Sequence, residues 1–390
     1  HIAALIFACM NIGFDAKRAF HNTTGLGHYS RTLIASLAKF YPQHQYFLFN
    51  PKPSGLISFK EENTREILPE GFFNNLFSSA WRSRNVTKDL EKLKINIYHG
   101  LSQEIPFGIN ATKIKTVVTI HDLIHERYPH QFNPVDVKIY TKKYRHACTH
   151  AQAIIAISNQ TKKDLIDFYK VPEEKITVCY QSCNPVFSHT LPEEAIQRVK
   201  IKYGLPEKFL LSVGSIIERK NLMNVCKALL LLRNECPLPL VIIGEGNCYK
   251  QKVEKFITEN KLESRIIFLS QRVAAQSKDF KSSQDFPAIY QAATAMVYAS
   301  YFEGFGIPVL EALWSRLPVI TSNTSSMPEA GGDGAFLIDP AKPQEIAEAI
   351  LKIYSNPNFA ESMKTKGWLY AQRFTVQNCA ASVMDVYTQL

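Results

Sequence analysis

The stretch richest in chemistry is Glu303-Gly304-Phe305-Gly306-Ile307-Pro308-Val309-Leu310-Glu311. Gly304 and Gly306 let backbone amides come close to a ligand, and Pro308 suits the first turn of a helix. Amides at a helix N-terminus, with the dipole behind them, favour a diphosphate. Glu303 lies just before that turn and Glu311 about one helical turn inside it. Each carboxylate can accept two hydrogen bonds from a sugar or ribose diol, so both suit one hydroxyl-rich ligand. The plainer alternative is an ordinary helix start, with Glu303 near the cap and Glu311 in solvent.

Three further stretches carry polar groups in comparable places. In Gly214-Ser215-Ile216-Ile217-Glu218-Arg219-Lys220-Asn221, the adjacent cations Arg219 and Lys220 follow an apolar run. They can neutralise a leaving diphosphate where a divalent metal would otherwise serve, and no Asp-x-Asp motif is present to hold such a metal. In Thr24-Gly25-Leu26-Gly27-His28-Tyr29, Gly25 and Gly27 suggest a flexible, amide-rich loop able to wrap a phosphate. Ser30 stands where a dinucleotide fingerprint needs its third glycine, so nicotinamide binding is not indicated. Thr119-Ile120-His121-Asp122 puts a His-Asp pair at a strand end, where it can bond a sugar hydroxyl or where Asp122 merely orients His121.

The elements that must position these groups alternate short apolar runs with amphipathic helical stretches. Strands are expected at Asn11–Phe14, Gln45–Asn50, Asn96–His99, Thr116–Ile120, Ala153–Ile157 and Ile176–Cys179, with helices such as His28–Phe40 and Lys162–Tyr169 between them. The pattern restarts after a break at Asn184–Thr190. Strands then follow at Phe209–Val213, Leu240–Ile243, Ile266–Leu269, Ala295–Ala299, Val319–Thr321 and Ala335–Leu337. This is the pattern of two α/β, Rossmann-like domains, each a parallel sheet wrapped by helices. The expected division is 1–183 and 184–374, with a last helix at 375–390. Polar Ala274–Phe286 reads as a long exposed loop.

At 390 residues the chain exceeds one typical core, and its composition is that of a folded protein. The net charge of +10 is uneven: residues 1–183 hold 23 Lys and Arg against 15 Asp and Glu, and 184–390 hold 22 against 20. A basic first half suits an anionic partner, or is simply a solvated surface. No nucleic-acid module is recognisable. The 8 cysteines have no paired spacing and read as buried thiols of a reducing compartment. No apolar run is long enough to span a membrane. Ile2–Met10 reads as a first strand with an upstream extension rather than a signal peptide. The expected location is cytoplasmic. Aromatic and cationic Phe72–Arg84 either docks on the inner face of an anionic membrane or packs as an ordinary helix.

From Asn11 to about Tyr387 the chain resembles retaining glycosyltransferase family 4, the group 1 glycosyltransferases, and within it the bacterial mannosyltransferases of O-antigen and capsule synthesis. The resemblance is carried by Gly13–Asp15 with Thr24–Tyr29, His121-Asp122-Leu123-Ile124, Ala156-Ile157-Ser158, Val213–Asn221 and Glu303–Glu311. It continues through Pro318-Val319-Ile320 and Ser326-Met327-Pro328-Glu329.

The resemblance implies a GT-B fold, two Rossmann-like domains facing a central cleft, with the last helix returning to the first domain. It implies a metal-independent retaining hexosyltransferase of the EC 2.4.1 type, without a cofactor. Its donor would be a nucleotide-sugar, with GDP-mannose favoured over a UDP-sugar. The acceptor would be a glycan or a polyprenyl-diphosphate-linked sugar. Glu303 would bind the donor sugar and Glu311 the ribose. Arg219, Lys220 and the Gly304, Phe305, Gly306 and Ile307 turn would hold the diphosphate. Gly25 and Gly27 would close over it, and His121 would lie beside the transferred sugar. Configuration would be kept by a same-face, ion-pair-like displacement. A GT-B epimerase or a non-catalytic nucleotide-sugar-binding relative are the alternatives.

Overall fold

The computed structural model describes residues 9–54 and 58–390. Most of the apolar stretch Ile2–Met10 lies outside the described residues. The chain forms two compact units, the first comprising the described residues up to 182 together with Phe374–Leu390, and the second Cys183–Arg373.

The first unit is a seven-stranded parallel sheet of β1 (Asn11–Asp15), β2 (Gln45–Phe49), β3 (Thr64–Ile67), β4 (Ile97–Gly100), β5 (Lys115–Ile120), β6 (Ala153–Ala156) and β7 (Ile176–Val178), in the order β3-β2-β1-β4-β5-β6-β7. Apart from β3, its strands are mostly apolar runs because both faces are covered. Alternate residues feed two separate cores: Ile97, Val117 and Ile155 point to one, and Tyr98, Val118 and Ile154 to the other. Helix Val376–Thr388 completes the first of these, packing Ala380, Val383, Met384 and Tyr387 with Tyr29, Leu33 and Leu37 of helix Gly25–Phe40. β3 was not expected. Its sequence Thr-Arg-Glu-Ile has no apolar run, because it is an edge strand whose Arg65 and Glu66 face solvent.

The second unit repeats the architecture with six parallel strands: β8 (Leu210–Val213), β9 (Leu240–Ile243), β10 (Ile266–Phe268), β11 (Ala295–Tyr298), β12 (Val319–Ser322) and β13 (Ala335–Ile338), in the order β10-β9-β8-β11-β12-β13. In each sheet the order reverses beside the first strand, which puts the topological switch point next to β1 and next to β8.

Three expectations need correction. The segment read as an exposed loop at 274–286 is folded: a turn at Val273–Gln276, a short helix Lys278–Lys281 and the start of helix Phe286–Ala292. Ala275 and Phe280 are buried, and Phe280 packs against Tyr203 and Phe286 at ring separations of 5.5 and 5.3 Å. Lys202 adds bonds to Asp279 and Asp285 at 2.8 and 2.7 Å. Of the cysteines, Cys9 and Cys248 are exposed rather than buried. The Phe72–Arg84 stretch does not pack as one ordinary helix. Phe72, Phe73, Leu76 and Phe77 are 59–76% exposed, whereas Trp81 is buried and donates through Nε1 to Asp89 at 2.6 Å. Among the described residues no helix is long and apolar enough to cross a membrane.

Candidate active site

In the second unit the groups of interest sit beyond the carboxyl ends of β8 and β11, neighbours in the sheet. After β8, Gly214 (φ +133°) turns the chain, and a 3-10 turn Glu218–Lys220 presents Arg219 and Lys220. Asn221, itself left-handed at φ +60°, fixes the turn through Nδ2, which donates to the carbonyls of Ala299 and Pro340 at 3.0 and 2.7 Å. After β11 the chain runs through Glu303 to Gly306 (φ +111°), where helix Ile307–Trp314 starts with Pro308 in its first turn. The Ser325 and Ser326 hydroxyls accept from or donate to the Glu303 backbone, and Ser326 also donates to the Phe305 carbonyl. Met327 fills the space under Gly306, where a Cβ would lie 2.5 Å from its Cε.

Glu303 Oε1 receives Arg219 Nη1 at 3.1 Å, Lys220 Nζ at 2.6 Å and the Tyr298 hydroxyl at 3.2 Å. Lys220 also donates to the Tyr298 hydroxyl and lies over its ring, 4.8 Å from the centroid. Burial alone would raise the Glu303 pKa, but Lys220 and then Arg219 outweigh it, so the carboxyl titrates below its usual range. Burial likewise opposes the charge on Lys220, and Glu303 overcomes it, holding the ammonium above its usual value. The cations are therefore neither a solvated pair nor idle: both pair with the one carboxylate, and a net positive charge remains. Arg219 donates through Nη1 to the Phe302 carbonyl, yet its Nε is buried without an acceptor. That unsatisfied donor is unfavourable unless a ligand oxygen reaches it.

Glu311 has a different partner. Its Oε2 accepts from the Tyr290 hydroxyl at 2.8 Å, and burial pushes its pKa up to about 7, partly offset by that bond. It is only partly accessible, not the solvated side chain of the plainer expectation.

In the first unit His121 follows β5 and is buried. Its Nε2 lies 2.9 Å from the Leu101 carbonyl, which can only accept, so Nε2 carries the hydrogen and Nδ1 keeps a lone pair. Burial depresses its pKa to about 4, so the ring is neutral near pH 7 and suited to accept from a hydroxyl. The Leu101 carbonyl and the Tyr29 ring, edge-on at 4.7 Å, orient it. Asp122 Oδ1 accepts from the Ile124 amide at 3.1 Å. Ser158, of the Ala156-Ile157-Ser158 motif, caps helix Asn159–Tyr169, whose Thr161 hydroxyl donates to the His121 carbonyl at 3.2 Å.

The glycine stretch is not the flexible loop expected from its composition. Gly25 and Gly27 form the first turn of helix Gly25–Phe40, and Asn22 Oδ1 accepts from the amides of Thr24 and Gly27 at 2.8 and 3.3 Å. A Cβ on Gly27 would stand 1.8 Å from the Asn22 carbonyl oxygen, whereas one on Gly25 meets nothing within 4 Å.

Sequence reasoning missed Tyr298, Tyr290 and Ser325. Tyr298 is the last residue of β11, and a polar tip at a strand's carboxyl end was the available signal.

The family described as "Glycosyl transferases group 1" matches residues 194–368, and "Glycosyltransferase Family 4" matches 23–185. The chain belongs to the group 1, family 4 glycosyltransferases. This glycosyltransferase is 26% identical over 396 residues to O-antigen chain mannosyltransferase B of Escherichia coli, covering 98% of this chain and 100% of that protein. It is 28% identical to the Escherichia coli serotype-specific mannosyltransferase WbdA over 78% of this chain and 37% of that protein. Among solved structures, Anabaena HepE in complex with UDP and glucose superposes with a TM-score of 0.72 at 17% identity, covering 98% of this chain and all of that one. The glycosyltransferase thus has the GT-B fold of two Rossmann-like units.

Proposed function

We propose that this glycosyltransferase moves mannose from GDP-mannose to a glycan or polyprenyl-diphosphate-linked acceptor in surface-polysaccharide synthesis, with retention and without a metal. The observation that carries the reading is the buried meeting of Arg219 and Lys220 on Glu303 at the ends of β8 and β11. A carboxylate able to bind sugar hydroxyls stands within reach of two cations able to hold a diphosphate, and Arg219 Nε awaits an acceptor. Mannose is favoured by the full-length similarity to an O-antigen chain mannosyltransferase.

In the proposed reaction the bond between the anomeric carbon and the diphosphate oxygen breaks, its electron pair going to that oxygen. The acceptor hydroxyl attacks the same face and passes its proton to the departing diphosphate. Arg219 and Lys220 stabilise the charge that develops, while Glu303 holds the sugar; the neutral His121 is suited to accept from a sugar hydroxyl. Glu311 holds the ribose, and the helix turn at Gly304–Ile307 approaches the phosphates.

The test is thermal-shift and donor-hydrolysis screening against GDP- and UDP-sugars with chelator present, followed by NMR of the product's anomeric centre. Stabilisation by GDP-mannose above all UDP-sugars, turnover in chelator and an α-linked product are expected. A UDP-sugar is the second reading, favoured by the Anabaena structure with UDP and glucose, and selective stabilisation by UDP would establish it. Loss of turnover in chelator would refute metal independence. We further propose that Phe72, Phe73, Leu76 and Phe77, with exposed Arg84 and Lys88, bring the protein to anionic membrane. Co-sedimentation with liposomes should require anionic lipid and fail for Phe73→Ser with Phe77→Ser.

A further inference from the structure

At the carboxyl ends of β1 and β4 the first unit holds a constellation in which only Asp15 belongs to the motifs of the resemblance, and Arg82 to the stretch Phe72–Arg84. Asp15 closes β1, and both its oxygens accept from Arg82 Nε at 3.0 Å, with Nη2 at 2.5 Å completing a fork. Arg82 Nη1 reaches Glu104 Oε2 at 3.1 Å, and Lys143 Nζ reaches Glu104 Oε1 at 3.2 Å. These four side chains border an open recess that Phe107 and His146 also line, their rings 4.3 Å apart.

The local chain is shaped to bring these groups together. Arg82 sits on a π-helical turn, Trp81–Asn85, a rare conformation concentrated at functional sites. The segment after β4 folds back so tightly that a Cβ on Gly100 would lie 2.0 Å from the Glu104 carbonyl oxygen, which only glycine permits. That segment is tied to the π turn by the Phe107 amide, which donates to the Ser83 carbonyl at 2.8 Å.

The recess selects by chemistry. Its four charges cancel, and acceptors alternate with donors at hydrogen-bond spacing. A phosphate would meet two carboxylates. A sugar hydroxyl both donates and accepts, so neighbouring hydroxyls of a pyranose can bridge Glu104 and Lys143. The Phe107 ring, itself packed against His146, adds an apolar surface to the recess wall. Asp15 and Arg82 are 4% and 13% exposed and form the fixed floor, whereas Glu104 and Lys143, at 24% and 36%, can turn from each other to a ligand.

We propose that this recess binds the terminal, uncharged pyranose of the glycosyl acceptor, with Glu104 and Lys143 holding its hydroxyls. The inference rests on the glycosyl-transfer reading and adds the chemical class that the acceptor presents.

The test is saturation-transfer NMR on the full chain with methyl α-D-mannopyranoside and its gluco and galacto counterparts. Ring-proton saturation from at least one glycoside is expected. It should weaken by about tenfold in affinity in Glu104→Gln and Lys143→Met, variants that keep side-chain volume. It should persist in Glu303→Gln and against millimolar inorganic phosphate. No signal from any glycoside, undiminished binding in both recess variants, or loss of signal in Glu303→Gln would overturn the proposal. Displacement by phosphate would make the recess an anion site instead. The nucleotide-sugar thermal shift is measured on the same samples. Its failure alone removes the donor reading and leaves the sugar recess standing, whereas its persistence with no glycoside signal removes only the recess.

Discussion

Glu303 bonds both Arg219 and Lys220, and so competes with the diphosphate that they are proposed to hold. Removing its charge while keeping its shape should free both cations. Glu303→Gln is therefore expected to bind inorganic diphosphate about tenfold more tightly than the parent by calorimetry while losing sugar transfer. Weaker diphosphate binding in that variant would show that the carboxylate does not compete. Lys220→Ala is expected to lower kcat by roughly 10²–10³-fold, the effect of losing one donor to developing charge. A change in KM alone would move Lys220 to ground-state binding. Glu311 makes a pH prediction of definite sign. Its pKa of about 7 in the folded protein lies above the usual 4.5, so between those values the folded form binds a proton that the unfolded chain has released. Its contribution to stability is complete below 4.5 and is lost as pH rises through 7. Glu311→Gln removes the dependence, and its Tm should gain on the parent from about pH 5 to about pH 8. A constant Tm difference would contradict the raised pKa. The residue types at 219, 220, 303 and 311 were legible from sequence, because strand ends followed by glycine and paired charge are uncommon. Their pairing was not. It depends on β8 and β11 being sheet neighbours across more than 70 residues, and on Tyr298 and Tyr290, which no motif marks.

At the scale of the element, the strands were legible wherever both faces are covered, since burial on two sides writes an unbroken apolar run. Leu240–Ile243 and Ala295–Tyr298 are of this kind. The edge strand Thr64–Ile67 and the folded segment around Phe280 were not, because each uses a single sheet edge or a single aromatic anchor amid polar residues. The glycine stretch was misread for another reason: glycine permits a loop but also permits close packing at a helix start. The two glycines separate these uses. Gly25→Ala should stabilise the protein by about 0.4–1 kcal/mol, because its Cβ meets open space and the unfolded chain loses freedom. Gly27→Ala should destabilise it by about 1–3 kcal/mol, because its Cβ meets the Asn22 carbonyl. Denaturant melts of the two variants check both signs, and equal effects would show that the first turn is not packed as described.

Across the whole molecule, the first unit is built from two stretches of chain separated by the entire second unit. The joint includes a buried polar line: the Tyr387 hydroxyl bonds His99 Nδ1 at 2.6 Å, and the Thr119 hydroxyl bonds both His99 Nε2 at 2.8 Å and the Tyr29 hydroxyl at 3.0 Å. Burial pushes the His99 pKa down to about 3, so the line works with a neutral ring. Tyr387→Phe leaves His99 without that partner and should cost about 1–3 kcal/mol by denaturant melt. Deleting residues 375–390 should abolish the cooperative melt of the first unit while nucleotide still stabilises the second, and an unchanged first-unit melt would count against the helix as part of that core. Synthesis on the ribosome meets the same arrangement in time. Domains ordinarily fold in the order in which they emerge. Here the earlier-made unit cannot close its core until the helix at Val376–Thr388 has left the exit tunnel, so the later-made unit is free to fold first. Throughout that interval the face of Tyr29, Leu33 and Leu37 awaits its cover, and the nascent chain presents a sticky, chaperone-accessible surface for as long as the second unit takes to be translated.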